Sequence, residues 1–518
     1  MPKGFLKSES YSGGIFLSLV FNIAARLTGF ATSLVIGFYF GTSSGADIYF
    51  YALNAITLVT GFAIALNSMV LVPEMMRLRA AGNSRAAMEY GNCFLYIYGF
   101  CAVLACLGLT APCALFNAVS KFDVSALAAQ TGMLRLAVAV LSLNLVNLYL
   151  TDIAVAGKFF TMPMLSNMLL NVCAITCMLL FARGGGISAA MGGLLLGNML
   201  QLVFLLGLLA RYGGWDFTAV RFSLGRGTLK NIVYSQAGNL TGMVAFYVPL
   251  YLLSGCGAGV VSAMNYARQV ADMPHLAFTN QFSSVAGIKF NEHAGTLGPA
   301  ELNPVFIRSI RILLFTLVPA AIFFALFSRE IMSVLYLRGK FDSQSLSSGR
   351  IFLMLFAVTI PFTAFNTLSA RLNMAFDKLR AGMWYQAASN AVAAVIFAFC
   401  IPCFGAYGYA LGFAVFGVVN VAGLYFYVRA VFPGIDYGAA LVWFSRTAVF
   451  MLLAALPALL VKLCMPGVPP VLTLLAGFTC YVAVILSANR MLRLNEDADG
   501  MLSDLLAGKM PFAPERRA

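Results

Sequence analysis

The chain has 518 residues, of which 61% are hydrophobic and only 10% charged, with a mean hydropathy of +0.87. A soluble protein of this length carries about 25% charged residues and divides into two or more globular domains, so that class is excluded and lipid is the required solvent. The net charge of +14, from 33 Lys and Arg against 19 Asp and Glu, is spread over short connections rather than gathered in one basic arm, which argues for topological charge bias and against a nucleic-acid partner.

Lys3 and Lys7 precede an apolar run from Gly13 to Phe40 whose single charge is Arg26. The run is too long for a signal-peptide core and no small-residue cleavage site follows it, so it reads as a retained first span. A guanidinium at bilayer depth costs about 3 kcal/mol or more, so Arg26 is expected to face water, a counter-ion or an anionic substrate. Gly29, three residues on, is a position where the helix can hinge or a neighbour can come close.

Asp47 follows the turn GTSSGA and opens span two, where it reads as an N-cap and as a gate able to pair with an arginine across a cavity. Arg135 and Asp152 flank span four, with Asn144 and Asn147 between them. The asparagines are expected to bond to neighbouring helices, and Arg135 is a second candidate for binding substrate. Span eight carries SAMNYARQVADMP, in which Arg268 and Asp272 are four apart and share a helical face as an ion pair, while Pro274 invites a break or hinge. Between Ser328 and Arg350 the segment REIMSVLYLRGKF reads either as an amphipathic helix on the outer interface or as a solvated loop.

The eleven cysteines, including Cys173, Cys177 and the CIPC pair Cys400 and Cys403, lie nearly all in apolar runs, and packing is the better reading than redox or metal chemistry. No cofactor and no metal are expected. About fourteen stretches are long and apolar enough to span, from one centred near Thr28 to one near Thr479. Sorting the connections alternately puts 22 Lys and Arg on the inner side, seven on the outer side and four (Arg26, Arg135, Arg268 and Arg446) within spans. This bias sets both termini in the cytoplasm. The expected fold is an all-α integral membrane protein: a first six-helix lobe over 1–215, a second over 216–432, two further helices over 433–495 and a cytoplasmic tail over 496–518.

Arginines at membrane depth outnumber their acidic partners, and the planar guanidinium fork donates two parallel hydrogen bonds to phosphate oxygens. A pyrophosphate head group suits such a chamber. The runs AARLTGFATSLVIGFYFGTSSGADIYFYA, VSAMNYARQVADMP and LRGKFDSQS resemble the MurJ/MviN lipid-linked oligosaccharide flippases of the multidrug/oligosaccharidyl-lipid/polysaccharide exporter superfamily. The resemblance implies fourteen helices in two lobes around a cationic cavity, and a hydrophobic groove formed with the last two helices. It also implies alternating access carrying an undecaprenyl-pyrophosphate-linked sugar, with lipid II for peptidoglycan synthesis the best-known cargo. By the same resemblance Arg26 matches the family's first cavity arginine and Asp47 its acidic residue at the start of span two. Thr32, Val59 and Thr60 stand where the family has arginines. In span eight the family's arginine falls on Gln269, one residue and about 100° from Arg268.

The function expected is therefore a flippase moving a lipid-linked sugar precursor from inner to outer leaflet, with Arg26, Arg268 and Arg135 binding substrate, Asp47 and Asp272 gating or ion-pairing, and Gly29 and Pro274 as hinges. The expected setting is the bacterial cytoplasmic membrane, with membrane lipids as surroundings, a monomeric state and room for coupling to a monovalent cation. The alternatives are a flippase for an O-antigen or exopolysaccharide repeat unit, and a cation-coupled drug exporter, for which interior carboxylates are few. A polyprenyl-dependent glycosyltransferase is disfavoured because outer acids are scarce and only His275 and His293 are present, so no catalytic residue is expected. An inert scaffold would need no arginine at membrane depth.

Overall fold

The structure, a computed structural model, describes residues 11–219, 226–279 and 299–492 together with short stretches of 282–291. Lys3, Lys7, His293 and the expected tail 496–518 lie outside the described residues. Among the described residues every regular element is helical. Among the described residues ten stretches are long and apolar enough to cross a membrane, or eleven if one bent pair is counted as a span, which is consistent with the larger number expected. Packing divides the chain into a first unit that runs to Ser262 and takes in Arg338–Asp342, and a second unit made of Ala263–Leu337 and the chain from Ser343.

In the first unit α1 (Tyr11–Phe40) is followed by α2 (Ser44–Leu66), capped by Ser43, whose side chain accepts from the Ala46 N–H. A π-helical turn, Asn67–Leu71, separates α2 from α3 (Val72–Ala80). Pro73 explains the turn: it has no N–H for the carbonyl of Met69 and its ring crowds that carbonyl, so the helix widens before the proline. There follow α4 (Ser84–Cys106), the short α5 (Pro112–Val119) and α6 (Val124–Ala129), then α7 (Thr131–Ala156), α8 (Thr161–Gly185), α9 (Ser188–Arg211) and α10 (Arg226–Leu253).

Helices α8 and α9 pack backbone to backbone. A Cβ on Gly193 would lie 2.6 Å from the Ala174 Cα, and one on Gly197 would lie 2.8 Å from the Leu170 Cα. Small residues four apart thus give α9 the groove through which two apolar helices approach without a hydrophobic force between them. After α9 the connection begins with Trp215, buried against Gly91, its Nε1 donating to the Asn92 Oδ1 at 2.7 Å. Next to it the Thr218 hydroxyl, and then its backbone N–H, bond to the Asp216 carboxylate and hold it below the ordinary Asp range.

The first helix credited to the second unit is α11 (Val260–Ala271), whose opening residues still belong to the first. It is followed by α12 (Pro299–Leu326), α13 (Ser328–Tyr336), the bent pair α14 (Ser343–Ala357) and α15 (Phe362–Ala375), then α16 (Leu379–Phe404), α17 (Gly408–Val431), α18 (Tyr437–Ala454), α19 (Leu456–Cys464) and α20 (Pro470–Leu492). Prolines mark the breaks here too. The 44° bend between α14 and α15 falls at Pro361, and α11 gives way to a π-helical turn, His275–Thr279, directly after Pro274.

The segment Ser328–Tyr336 is helical, and part of its apolar side is packed inside the second unit. Ile331, Met332 and Tyr336 are buried in the second unit, Tyr336 against Tyr266 with ring centroids 4.9 Å apart. Glu330 accepts from the Lys462 Nζ at 2.9 Å, which also reaches the Leu326 carbonyl at 2.6 Å. Tertiary partners claim an amphipathic face that the sequence alone offers equally to lipid.

Candidate functional site

Arg26 stands on an exposed face of α1, inside the stretch Ile23–Phe40 that is apolar enough to span. The helix is continuous through Gly29, beside which lies the amide of Asn171 on α8, 3.7 Å from where a Cβ would sit. Thr32, where the resemblance places an arginine, is buried: its hydroxyl donates to the Thr28 carbonyl at 2.9 Å and to the Asn171 Oδ1 at 3.4 Å. Thr60 is buried as well, its hydroxyl bonded back to the Ile56 carbonyl at 2.9 Å. Two of the positions without the family's charge are therefore packing positions.

Asp47 is fully buried in the first turn of α2, whose cap is Ser43. Its carboxylate accepts from the Ser262 N–H and the Ser262 hydroxyl, each at 2.7 Å, and from the Gly259 N–H. These are orphan donors at the start of α11, so Asp47 caps a helix more than two hundred residues away in the chain. The expectation that Asp47 caps its own span is corrected. The carboxylate is drawn to α11 because the first N–H groups there have no acceptor within their helix.

Arg135 is exposed in the first turns of α7 and makes no hydrogen bond or ion pair among the described residues. Asn147 donates to the Asn198 carbonyl of α9 at 2.8 Å, the interhelical partner that an asparagine in hydrocarbon requires.

In the second unit Arg268 and Asp272 meet on one face of α11, Nε to Oδ2 3.7 Å, with Asp272 the more exposed of the two. Two residues not singled out from the sequence join them. The guanidinium donates to the Tyr409 hydroxyl at 3.1 Å and lies over the Phe413 ring, 4.9 Å from its centroid. Both come from α17, about 140 residues away, and no local pattern marks them. Tyr409 and Phe413 are four apart, so they share a face, but a Tyr–Phe pair in an apolar helix reads as packing.

Beyond Pro274 the second unit has an open-sided cavity of about 510 Å³ between the turn after α11, α12 and α20. Its walls are apolar, with Phe278, Phe315, Phe323 and Phe478 among the lining side chains. Among the described residues no group of His, Cys, Asp and Glu is arranged to hold a metal ion.

Long apolar helices in each of the two units define a multi-pass α-helical membrane protein, with an arginine seated over an aromatic ring in the second unit. A family model described as "Lipid II flippase MurJ" matches residues 36–476, and the chain belongs to this family. It is 26% identical over 375 residues to a probable lipid II flippase MurJ of Aquifex aeolicus (strain VF5), covering 70% of each chain. It is 22% identical over 349 residues to the protein of that description from Borreliella burgdorferi, covering 66% of this chain and 68% of the relative. In fold it is similar to a solved lipid II flippase MurJ in an inward closed conformation, with a TM-score of 0.76 at 17% identity, covering 92% of this chain and 99% of that one. An inward-facing MATE transporter of the MOP superfamily gives a TM-score of 0.63 at 15% identity over 82% of this chain and 98% of its own.

Proposed function

We propose that this protein carries lipid II, a polyprenyl-pyrophosphate-linked sugar precursor of peptidoglycan, from the inner to the outer leaflet of the bacterial cytoplasmic membrane. The observation that carries the reading is the family match over 36–476, which takes in Asp47, Arg135, Arg268 and Asp272. The geometry supports it at Arg268. A pyrophosphate can take the place of an Asp272 carboxylate that is half exposed and 3.7 Å from the guanidinium, because a long contact to a half-exposed carboxylate is worth at most about 1 kcal/mol. Bidentate phosphate contacts to a guanidinium are stronger. Arg26 and Arg135, both exposed, supply further charge as the head group moves.

Asp47 acts as the gate by holding or releasing the start of α11, and Gly29 and Pro274 are the points where helices flex. The apolar cavity bounded by α12 and α20 takes part of the polyprenyl tail. Lobes built on 1–215 and 216–432 rock about the cargo, with the helices of 433–495 forming the tail groove. The protein acts as a monomer with both termini in the cytoplasm, makes and breaks no covalent bond, and is reset by a monovalent cation or the membrane potential.

The test is complementation of a strain depleted of its lipid II flippase, with the lipid II of each leaflet measured. The wild-type chain should restore growth and outer-leaflet lipid II. Arg26→Ala and Arg268→Ala, inserted at equal levels, should accumulate the precursor in the inner leaflet. A wild-type chain that inserts normally yet restores neither overturns the cargo assignment, and rescue of O-antigen or exopolysaccharide export instead would reassign the glycan.

A further inference from the structure

The first unit holds a carboxylate that the transport reading does not use. Asp152, one turn before the end of α7, accepts from the Asn67 Nδ2 at 2.6 Å. The Asn67 Oδ1 in turn accepts from the Tyr98 hydroxyl at 2.7 Å, and Tyr98 stacks on Tyr149 with ring centroids 5.0 Å apart. Asn67, Tyr98 and Tyr149 are buried in an apolar cluster with Phe94, Leu150 and Leu205. Asp152 takes part in no ion pair among the described residues.

The hydrogen-bond partner of the carboxylate is the neutral Asn67 amide. Tyr98 of α4 and Tyr149 of α7 itself lie beside it, while the charges of α4, Arg85 and Glu89, pair with each other. On α3 the Arg79 guanidinium is directed to the Ala156 carbonyl at 3.4 Å, while Glu74 pairs with Arg77. The charges of α2, α8 and α9 are Asp47 at the opposite end of its helix, Arg183 in the last turn of α8 and the exposed Arg211 in the last turn of α9. Lys158 follows α7 in the connection to α8. A carboxylate charge that is partly buried without a counter-ion is costly, and a proton is the ligand that removes it.

The amide between the two oxygen groups makes both states of the carboxyl satisfiable. With the carboxylate ionised, Asn67 presents its Nδ2 to Asp152 and its Oδ1 to Tyr98. With the carboxyl protonated, its O–H donates to the amide oxygen, the amide turns over, and Nδ2 donates to the Tyr98 oxygen. The phenol O–H then turns to its other acceptor, the Ala63 carbonyl, 3.4 Å away. That carbonyl also accepts the backbone N–H of Asn67, which closes the last turn of α2 and opens the π-helical turn. A proton on Asp152 therefore redirects a hydrogen bond onto the backbone at the break between α2 and α3. π-Helical turns recur at sites where helices change shape in function.

We propose that Asp152, Asn67 and Tyr98 form a proton-binding site whose occupancy sets the geometry of the α2–α3 break. The proton is taken from water and returned to it, and no other bond changes. The inference deepens the coupling part of the flippase reading by naming the cation, and its test needs no cargo, so its failure leaves the cargo assignment standing.

The test uses the purified full chain in lipid nanodiscs without cargo. Infrared difference spectra between acid and alkaline buffer should show a protonated-carboxyl stretch that is lost in Asp152→Asn and shifted in Asp152→Glu. Backbone hydrogen exchange over Ala63–Val72, corrected for intrinsic rates, should change by roughly threefold or more with the same midpoint. Tyr98→Phe should keep the carboxyl titration and lose the exchange response. A spectrum with no band assignable through the Asp152 variants overturns the site, and an exchange response unchanged in Tyr98→Phe overturns the coupling.

Discussion

Asp47 sits in a helix already capped by Ser43 and accepts three hydrogen bonds from the start of α11. Asp47→Ala strands those buried donors, so purified protein should lose about 3 kcal/mol of stability, read as a lower unfolding midpoint. Arg268 is held by shape as well as by charge. Arg268→Lys keeps the cation but loses the planar contact with Phe413 and the bond to Tyr409, a change of about 1–2 kcal/mol. Lipid II translocation in vesicles should fall roughly tenfold with little change in folding. Equal transport by the lysine variant would show that only a point charge is needed there.

At the scale of elements, prolines and glycines decide more than hydrophobicity does. Gly193 and Gly197 let α9 lie on the backbone of α8, and a branched side chain at either has no room. Gly193→Val should cost about 3 kcal/mol and reduce the folded fraction recovered from membranes, whereas the same change at Gly207, which has open space around it, should be tolerated. Pro73→Ala restores the missing N–H and lets α2 run into α3 without the π-helical turn. Thermal stability should then hold or rise while complementation drops, since what is removed is a π-helical turn and not a packing contact. Full complementation by Pro73→Ala would mean that the break is ornamental to transport.

Over the whole molecule the chain does not partition in sequence order. Arg338–Asp342 packs with the first unit although the residues on both sides of it belong to the second. The Lys340 N–H donates to the Phe38 carbonyl at 2.9 Å, and Gly339 at φ +64° passes so close that a Cβ would lie 2.2 Å from that carbonyl oxygen. Gly339→Ala should break this junction at a cost of about 1–3 kcal/mol, seen as faster proteolysis of the segment around LRGKF than in wild type. The motif was visible as a string, but nothing in it announces that its backbone is a partner of α1.

Composition and charge bias alone were enough to establish a polytopic helical membrane protein, because the penalty for polar backbone in lipid leaves long apolar helices as the solution for runs such as Gly13–Phe40. The four-residue spacing of Arg268 and Asp272 likewise places them on one face, since a helix's period is a local property. The break after Pro274 was legible for the same reason. Tertiary structure decided what each of these groups touches: Asp47 on α11, Arg268 on Tyr409 and Phe413, Thr32 on Asn171, and Asp152 joined through Asn67 to Tyr98. Those partners lie between 31 and 215 residues away, and hydrogen bonds across such separations depend on how helices pack, which the period of a single helix does not encode.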